Sequence, residues 1–149
     1  MLALELMNAM IAELKKITEL GVRVYAAQSR NITFQGEKPY AKVIYGGADI
    51  IYQKSGSEHY RHRFPVYIDD KIWREQASVI GITGGQIGTL ALLKKAMDEL
   101  KNERFLLIAG LTGHISDATI TAIYGTEDYL QLGVEGASIG FQIEYYEGA

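Results

Sequence analysis

ASIGFQIEYY, residues 137–146, alternates along its whole length. Ile139, Phe141, Ile143 and Tyr145 fall on one side, and Ser138, Gly140, Gln142, Glu144 and Tyr146 on the other. Successive side chains of a strand point to opposite faces, so this run predicts a β-strand with one face against a core. A second run, HYRHRFPVYI (59–68), has the same texture. Tyr60, His62, Phe64, Val66 and Ile68 alternate with His59, Arg61, Arg63 and Tyr67. Pro65 has no N–H to donate, which predicts that this strand lies at a sheet edge or carries a bulge there.

Working outward, Tyr40 to Gln53 reads as a strand broken at Gly46-Gly47 by a kink, bulge or turn, and KSGSE (54–58) reads as a turn. Val22 to Ala26 alternates in a strand-like way, and the polar residues 27–38 read as a loop or irregular hairpin. Phe105 to Ile108 reads as a short buried strand, and Ser116–Tyr124 and Gln131–Val134 as weaker ones. Two segments have helical spacing. In residues 2–20, Leu6, Met7, Met10, Ile11, Leu14 and Ile17 form one stripe, and Gly21 follows as a natural terminator. From about Gln86 to Lys101, Ile87, Leu90, Leu93, Met97 and Leu100 form another, ended by Asn102. Strands come in runs rather than alternating with helices. The expected fold is one α+β domain over residues 1–149, a mainly antiparallel sheet with two amphipathic helices on one face.

Composition suits that reading. The 149 residues are 48% hydrophobic, enough for one domain with a sizeable core. There is no cysteine, which excludes disulfides, thiolate metal ligation and a cysteine nucleophile. A net charge of −3 provides no global attraction for nucleic acid. The N-terminal run carries Glu5 and Glu13 ahead of its lysines, the reverse of a signal peptide, and Phe105–Tyr124 is too interrupted to span a bilayer. The expectation is a soluble protein with no membrane partner. Ten of the aromatic residues are tyrosine, a side chain suited to half-buried sheet faces and to interfaces. All 15 Lys and Arg lie within residues 1–104, whereas residues 105–149 hold only acids: Asp117, Glu127, Asp128, Glu135, Glu144 and Glu147.

Candidate chemistry is sparse. GITGGQIG (81–88) could open a helix onto a phosphate, but it fits neither GxxxxGK[ST] nor GxGxxG. His59 and His62 lie three apart on a strand and so point to opposite faces, which is poor geometry for a shared metal. HYRHR (59–63) is a basic patch suited to a phosphate, an acidic partner surface or solvent. GLTGHISD (110–117) brings His114, Ser116 and Asp117 close in sequence, without the GxSxG elbow of a hydrolase. No complete nucleophile, metal or cofactor signature is present, so the expectation is no catalytic residue, no cofactor, no metal and no enzymatic activity.

The order of these segments resembles the tail terminator (tail completion) proteins of tailed bacteriophages, particularly those of Mu-like contractile tails. The resemblance runs through the helix closing at LGVRVYAA (20–27), the strand PYAKVIYGG (39–47) and the basic strand HYRHRFPVYI (59–68). It continues through the helix IGTLALLKKAMDEL (87–100) and the closing strand SIGFQIEYYE (138–147). It implies a structural virion protein, assembled in the host bacterial cytoplasm and resident in the virion tail. Such a protein forms a homohexameric ring on the head-proximal end of the tail tube. The implied partners are further copies of itself, the tail tube protein, and the sheath and head-joining neck proteins, with DNA as passing cargo. A tube or neck protein, or a small phosphate-binding module or enzyme, are the alternatives. Expected contact residues are His59, Arg61, Arg63, Tyr67, Tyr145, Tyr146, Glu127 and Asp128. The basic strand and the acidic final third are expected to meet across a head-to-tail interface, or one of them to meet the next ring.

Overall fold

The computed structural model describes residues 3–29, 34, 39–54, 57–71, 88–108, 110–111, 113–124 and 134–148. They form an α+β fold with a six-stranded, mostly antiparallel sheet and three helices. The elements in chain order are α1 (Ala3–Leu14), β1 (Val24–Ala27), β2 (Tyr40–Ile44), β3 (Ala48–Lys54), β4 (Ser57–Lys71), α2 (Thr89–Lys101), α3 (Arg104–Ile108), β5 (Gly113–Tyr124) and β6 (Val134–Gly148). The sheet order is β1-β2-β4-β6-β5, and β3 also pairs with β4.

The two alternating runs are its spine. β4 and β6 pair antiparallel over their full 15-residue lengths, from Ser57↔Gly148 to Lys71↔Val134. Val66↔Ile139 and Phe64↔Phe141 are in register, so both apolar faces lie on the same side. Leu6, Met10 and Leu14 of α1, Leu92, Leu93 and Leu100 of α2, and Phe105 and Leu106 of α3 pack against that side in one buried cluster. All three helices therefore cover one face. Gly136 is dictated by close approach: a Cβ there would lie 1.8 Å from the Ile68 carbonyl oxygen.

Three expectations need correction. β4 is central rather than an edge strand, since β6 flanks one side and β2 and β3 share the other. Pro65 is accommodated because β2 gives way to β3 opposite it. Arg63 exchanges its N–H and C=O with Gly47 and Gly46 there, at 2.9 and 2.7 Å. Residues two apart on a strand turn their backbone groups the same way, so the donor that Pro65 lacks would point at this crossover. Gly46 fits because a Cβ would meet the Pro65 ring at 3.2 Å.

Second, Phe105–Ile108 is helical. The Asn102 side chain accepts the Arg104 N–H at 2.9 Å and Glu103 takes φ of 62°, so the chain reverses and starts a new turn. Phe105 and Leu106 are both buried while Leu107 is 78% exposed, a pattern no strand would give. Third, the first helix stops at Leu14 rather than near residue 20. Tight turns carry residues 15–20 onward and still bury Ile17 and Leu20, before Gly21 reverses the chain with φ of 54°. β1 runs parallel to β2, the one parallel pairing among the described residues, and the sheet is otherwise antiparallel, as expected.

Other expectations are met. The Gly46-Gly47 break separates β2 from β3, and Asn102 caps α2. Ser116–Tyr124 lies inside β5, whereas Val134 is not part of a separate strand but opens β6. Most of the 27–38 loop, residues 55–56 of the turn, residues 81–87 of the glycine-rich run and residues 131–133 lie outside the described residues.

Candidate functional site

The face of β4 and β6 that no helix among the described residues covers carries polar residues along its length, and two clusters stand out. At one end Glu144 of β6 is approached by an arginine and two histidines from its two neighbouring strands. Arg61 of β4, in register with Glu144, donates Nε and Nη2 to its Oε1 at 3.1 and 2.8 Å. His59 Nε2 lies 3.2 Å and His114 Nε2 3.5 Å from its Oε2. The Arg61 guanidinium holds the Glu144 carboxyl below its ordinary range against the opposing effect of burial, and the His59 contact acts in the same sense as Arg61. Arg63, next on the same face, pairs with Asp49 of β3 at 2.8 Å and donates Nε to the Gly46 carbonyl.

At the other end Lys42 of β2 and Asp69 of β4 form an ion pair of 2.8 Å, with both side chains 1% exposed. The Tyr67 ring lies 5.4 Å from Lys42 Nζ, within cation–π range. Tyr40 pairs with Asp69 in register and is fully buried. Burial pushes its phenol up, aided by the Asp69 charge, although the hydrogen bond from the Phe34 N–H works the other way. Tyr25, Phe34 and Tyr40 pack ring against ring beside this pair.

The expected contact residues are thus distributed unevenly. His59 and Arg61 converge on Glu144, Arg63 staples the glycine crossover, and Tyr67 covers Lys42. Basic strand and acidic final third do meet, but inside one chain, because Arg61 and Glu144 face each other across β4 and β6. Tyr145 is only 8% exposed, on the core side beside Tyr60. Tyr146 pairs with His59 through the backbone register, and Glu127 and Asp128 lie outside the described residues.

His62 is fully buried on the core side, opposite to His59, as the strand period requires. Ser116 Oγ donates to the Gln142 carbonyl, His114 reaches Glu144 and Asp117 accepts from Thr119. These three residues have separate partners, so they do not form a triad. No group of three His, Cys, Asp or Glu among the described residues could hold a metal ion. Nor is any helix among the described residues long and apolar enough to cross a membrane.

Sequence reasoning missed the buried pair and the role of Glu144. Lys42 lies in the run read as a strand from Tyr40, and nothing in that run marks it as buried, yet all five residues of β2 are. A signal for Glu144 was present: two long alternating runs, paired antiparallel with apolar sides together, bring their polar sides together as well.

A third feature is an arm. The helices pack on β1, β2, β4, β5 and β6, and β3 pairs only with β4 among the described residues. Ile50 and Ile51 of β3 are 61% and 44% exposed. The register shifts between Ile50 and Tyr52, which puts an extra residue into this strand.

No protein-family model matches this chain, and no curated protein matches it.

Proposed function

We propose that the protein is a structural subunit that assembles with copies of itself into a ring, and that this ring caps the head-proximal end of a phage tail tube. The observation that carries the reading is the β3–β4 arm. It holds a strand that pairs only with β4 among the described residues and carries two adjacent exposed isoleucines. Open strand edges and exposed apolar side chains are surfaces that natural proteins cover or reserve for a partner. A head-to-tail contact made by such an arm on a different surface of the next copy closes into a ring when the rotation permits. The specific placement at a tail terminus rests on the resemblance of segment order to tail terminators.

A phosphate-binding role for HYRHR has less support, because Arg61 and Arg63 are both engaged within the chain. A tube or neck protein would use the same arm, and its assembly product distinguishes it. Negative-stain microscopy and sedimentation should show a closed ring rather than a filament. Ile50→Asp with Ile51→Asp should yield folded monomer. Added to polymerising tail tube protein, the ring should stop growth. A wild-type monomer at every concentration would sink the assembly reading, and tubes of undiminished length would sink the capping role.

A further inference from the structure

Three strands have a single neighbour among the described residues: β1, β3 and β5. β1 is four residues long, whereas β3 has seven and β5 twelve. Natural sheets guard long edges with Lys or Pro. β5 (GHISDATITAIY) holds no Lys, Arg or Pro, and β3 (ADIIYQK) holds one Lys, at its last position.

We propose that β3 of one copy adds antiparallel to the β5 edge of the next, so that one sheet runs on from subunit to subunit. This rests on the reading that the chain assembles with itself, and it names the surface that receives the arm. Strand direction supports it. β3, β4, β6 and β5 are neighbours in that order, each antiparallel to the next. Four antiparallel strands leave the outer two running in opposite senses. A copy carried round by rotation about an axis along the strands therefore presents its β5 antiparallel to β3. Pairing β3 with β3 would need a two-fold axis instead, which closes a dimer and not a ring.

The faces agree as well. Ile50 pairs with Tyr60 and lies on the helix-covered side of the sheet, yet it is 61% exposed. On β5, Ile115, Ala118 and Ile120 stand opposite Ile143, Phe141 and Ile139 on that same side, and all three are only partly buried. A strand laid beside β5 brings its own helix-side residues against this strip. Charge selects the same partner. β5 belongs to the part of the chain with acids and no Lys or Arg, and β3 to the part that holds every Lys and Arg. Two β5 edges would instead set acid against acid. Irregularities fix where the seat lies. The register of β5 shifts after Ile115 and after Ile120, and the Ile115 N–H is already taken by the Glu103 carboxylate at 2.8 Å. Asp117–Ile120 is left as the regular stretch that can accept a strand.

Single-cysteine variants test this without background, since the chain has no cysteine. Residues directly opposed across an antiparallel pair come close enough for a disulfide. Ile50→Cys protein is mixed with Ala118→Cys or Ile120→Cys protein under mild oxidation. At least one mixture should give a covalent dimer joining the two variants, and Ile50→Cys alone should give none. Thr119→Cys, exposed on the other face of the same stretch, controls for chance collision and should give no more than a trace with Ile50→Cys. Sedimentation of the same proteins before oxidation shows whether copies assemble. Rings without a cross-link at either position, or covalent dimers of Ile50→Cys alone, overturn this pairing and leave assembly itself standing. Monomers at every concentration overturn the assembly reading beneath it.

Discussion

β4 and β6 present two faces with the same backbone and opposite contents. On the helix-covered face Phe64, Val66, Ile68, Ile139, Phe141 and Ile143 are all buried to 0% exposure, and no polar partner is needed. The helix-free face varies along its length. Its Lys42–Asp69 end is as buried as the core, whereas Arg61 and Arg63 remain 35% and 39% exposed. An apolar face has one stable fate, removal from water. A polar face can be solvated or buried with partners, and alternation does not distinguish the two.

The buried end offers the largest effect. Asp69→Ala strands the Lys42 ammonium in a site with 1% exposure, and removing one partner of a buried pair costs about 3–5 kcal/mol. Replacing both, Lys42→Met with Asp69→Leu, should recover most of that loss. Urea titration of the three proteins checks it. A loss below about 0.5 kcal/mol for Asp69→Ala would show that this end is hydrated after all.

The covered face comes next. Leu14→Ala and Leu93→Ala each open a cavity at a fully buried site, at about 2–5 kcal/mol apiece. Equal losses would show that α1 and α2 contribute comparably to one core. A loss confined to one would divide the helix layer.

These expectations mark where the sequence was readable. The spine was legible because residues 59–68 and 137–146 alternate without ambiguity, and the two long helices because their stripes repeat at helical spacing. α3 was not, because four apolar residues in a row look alike as strand or helix; the turn at Asn102 and Glu103 decides between them. Pro65 was read by a rule for isolated strands, and the partner strand changes at that point. His59 and Arg61 were legible as a polar face, but their shared partner Glu144 requires the β4–β6 register. The charge split between the first 104 residues and the rest suggested contact between subunits. One part of it, Arg61 against Glu144, is met by antiparallel pairing within one chain.

Glu144 gives a smaller effect than the buried residues, because its cluster is partly solvated. Glu144→Gln should cost about 1–2 kcal/mol near neutral pH, the range for hydrogen bonds to a charged group after discounting exposure. Its carboxyl is held low, so the contribution exists above the unfolded value and disappears as pH falls through the folded one. Wild type and variant should therefore converge in stability on acidification below about pH 4. Parallel curves down to acid would mean that Arg61 and the histidines do not sense this charge.

The smallest effect separates two arginines on the same strand face. Arg61 meets a carboxylate that is 14% exposed, through two donors on one oxygen. Arg63 meets Asp49, which is 56% exposed, and its remaining bond goes to the Gly46 carbonyl at the crossover. Exposed pairs are worth about 0–1 kcal/mol because water and salt screen them. Arg63→Ala should cost under about 1 kcal/mol and lose most of that in concentrated salt, whereas Arg61→Ala should cost more and respond less. The crossover adds a second term, since Arg63 Nη2 lies 3.0 Å from where a Cβ on Gly47 would stand. If the staple matters for the crossover itself, Arg63→Ala should speed amide exchange at Gly46 while leaving Arg61 and His59 unchanged. If both arginine variants lose equal stability with equal salt dependence, burial does not grade this face, and the contrast between its two ends fails.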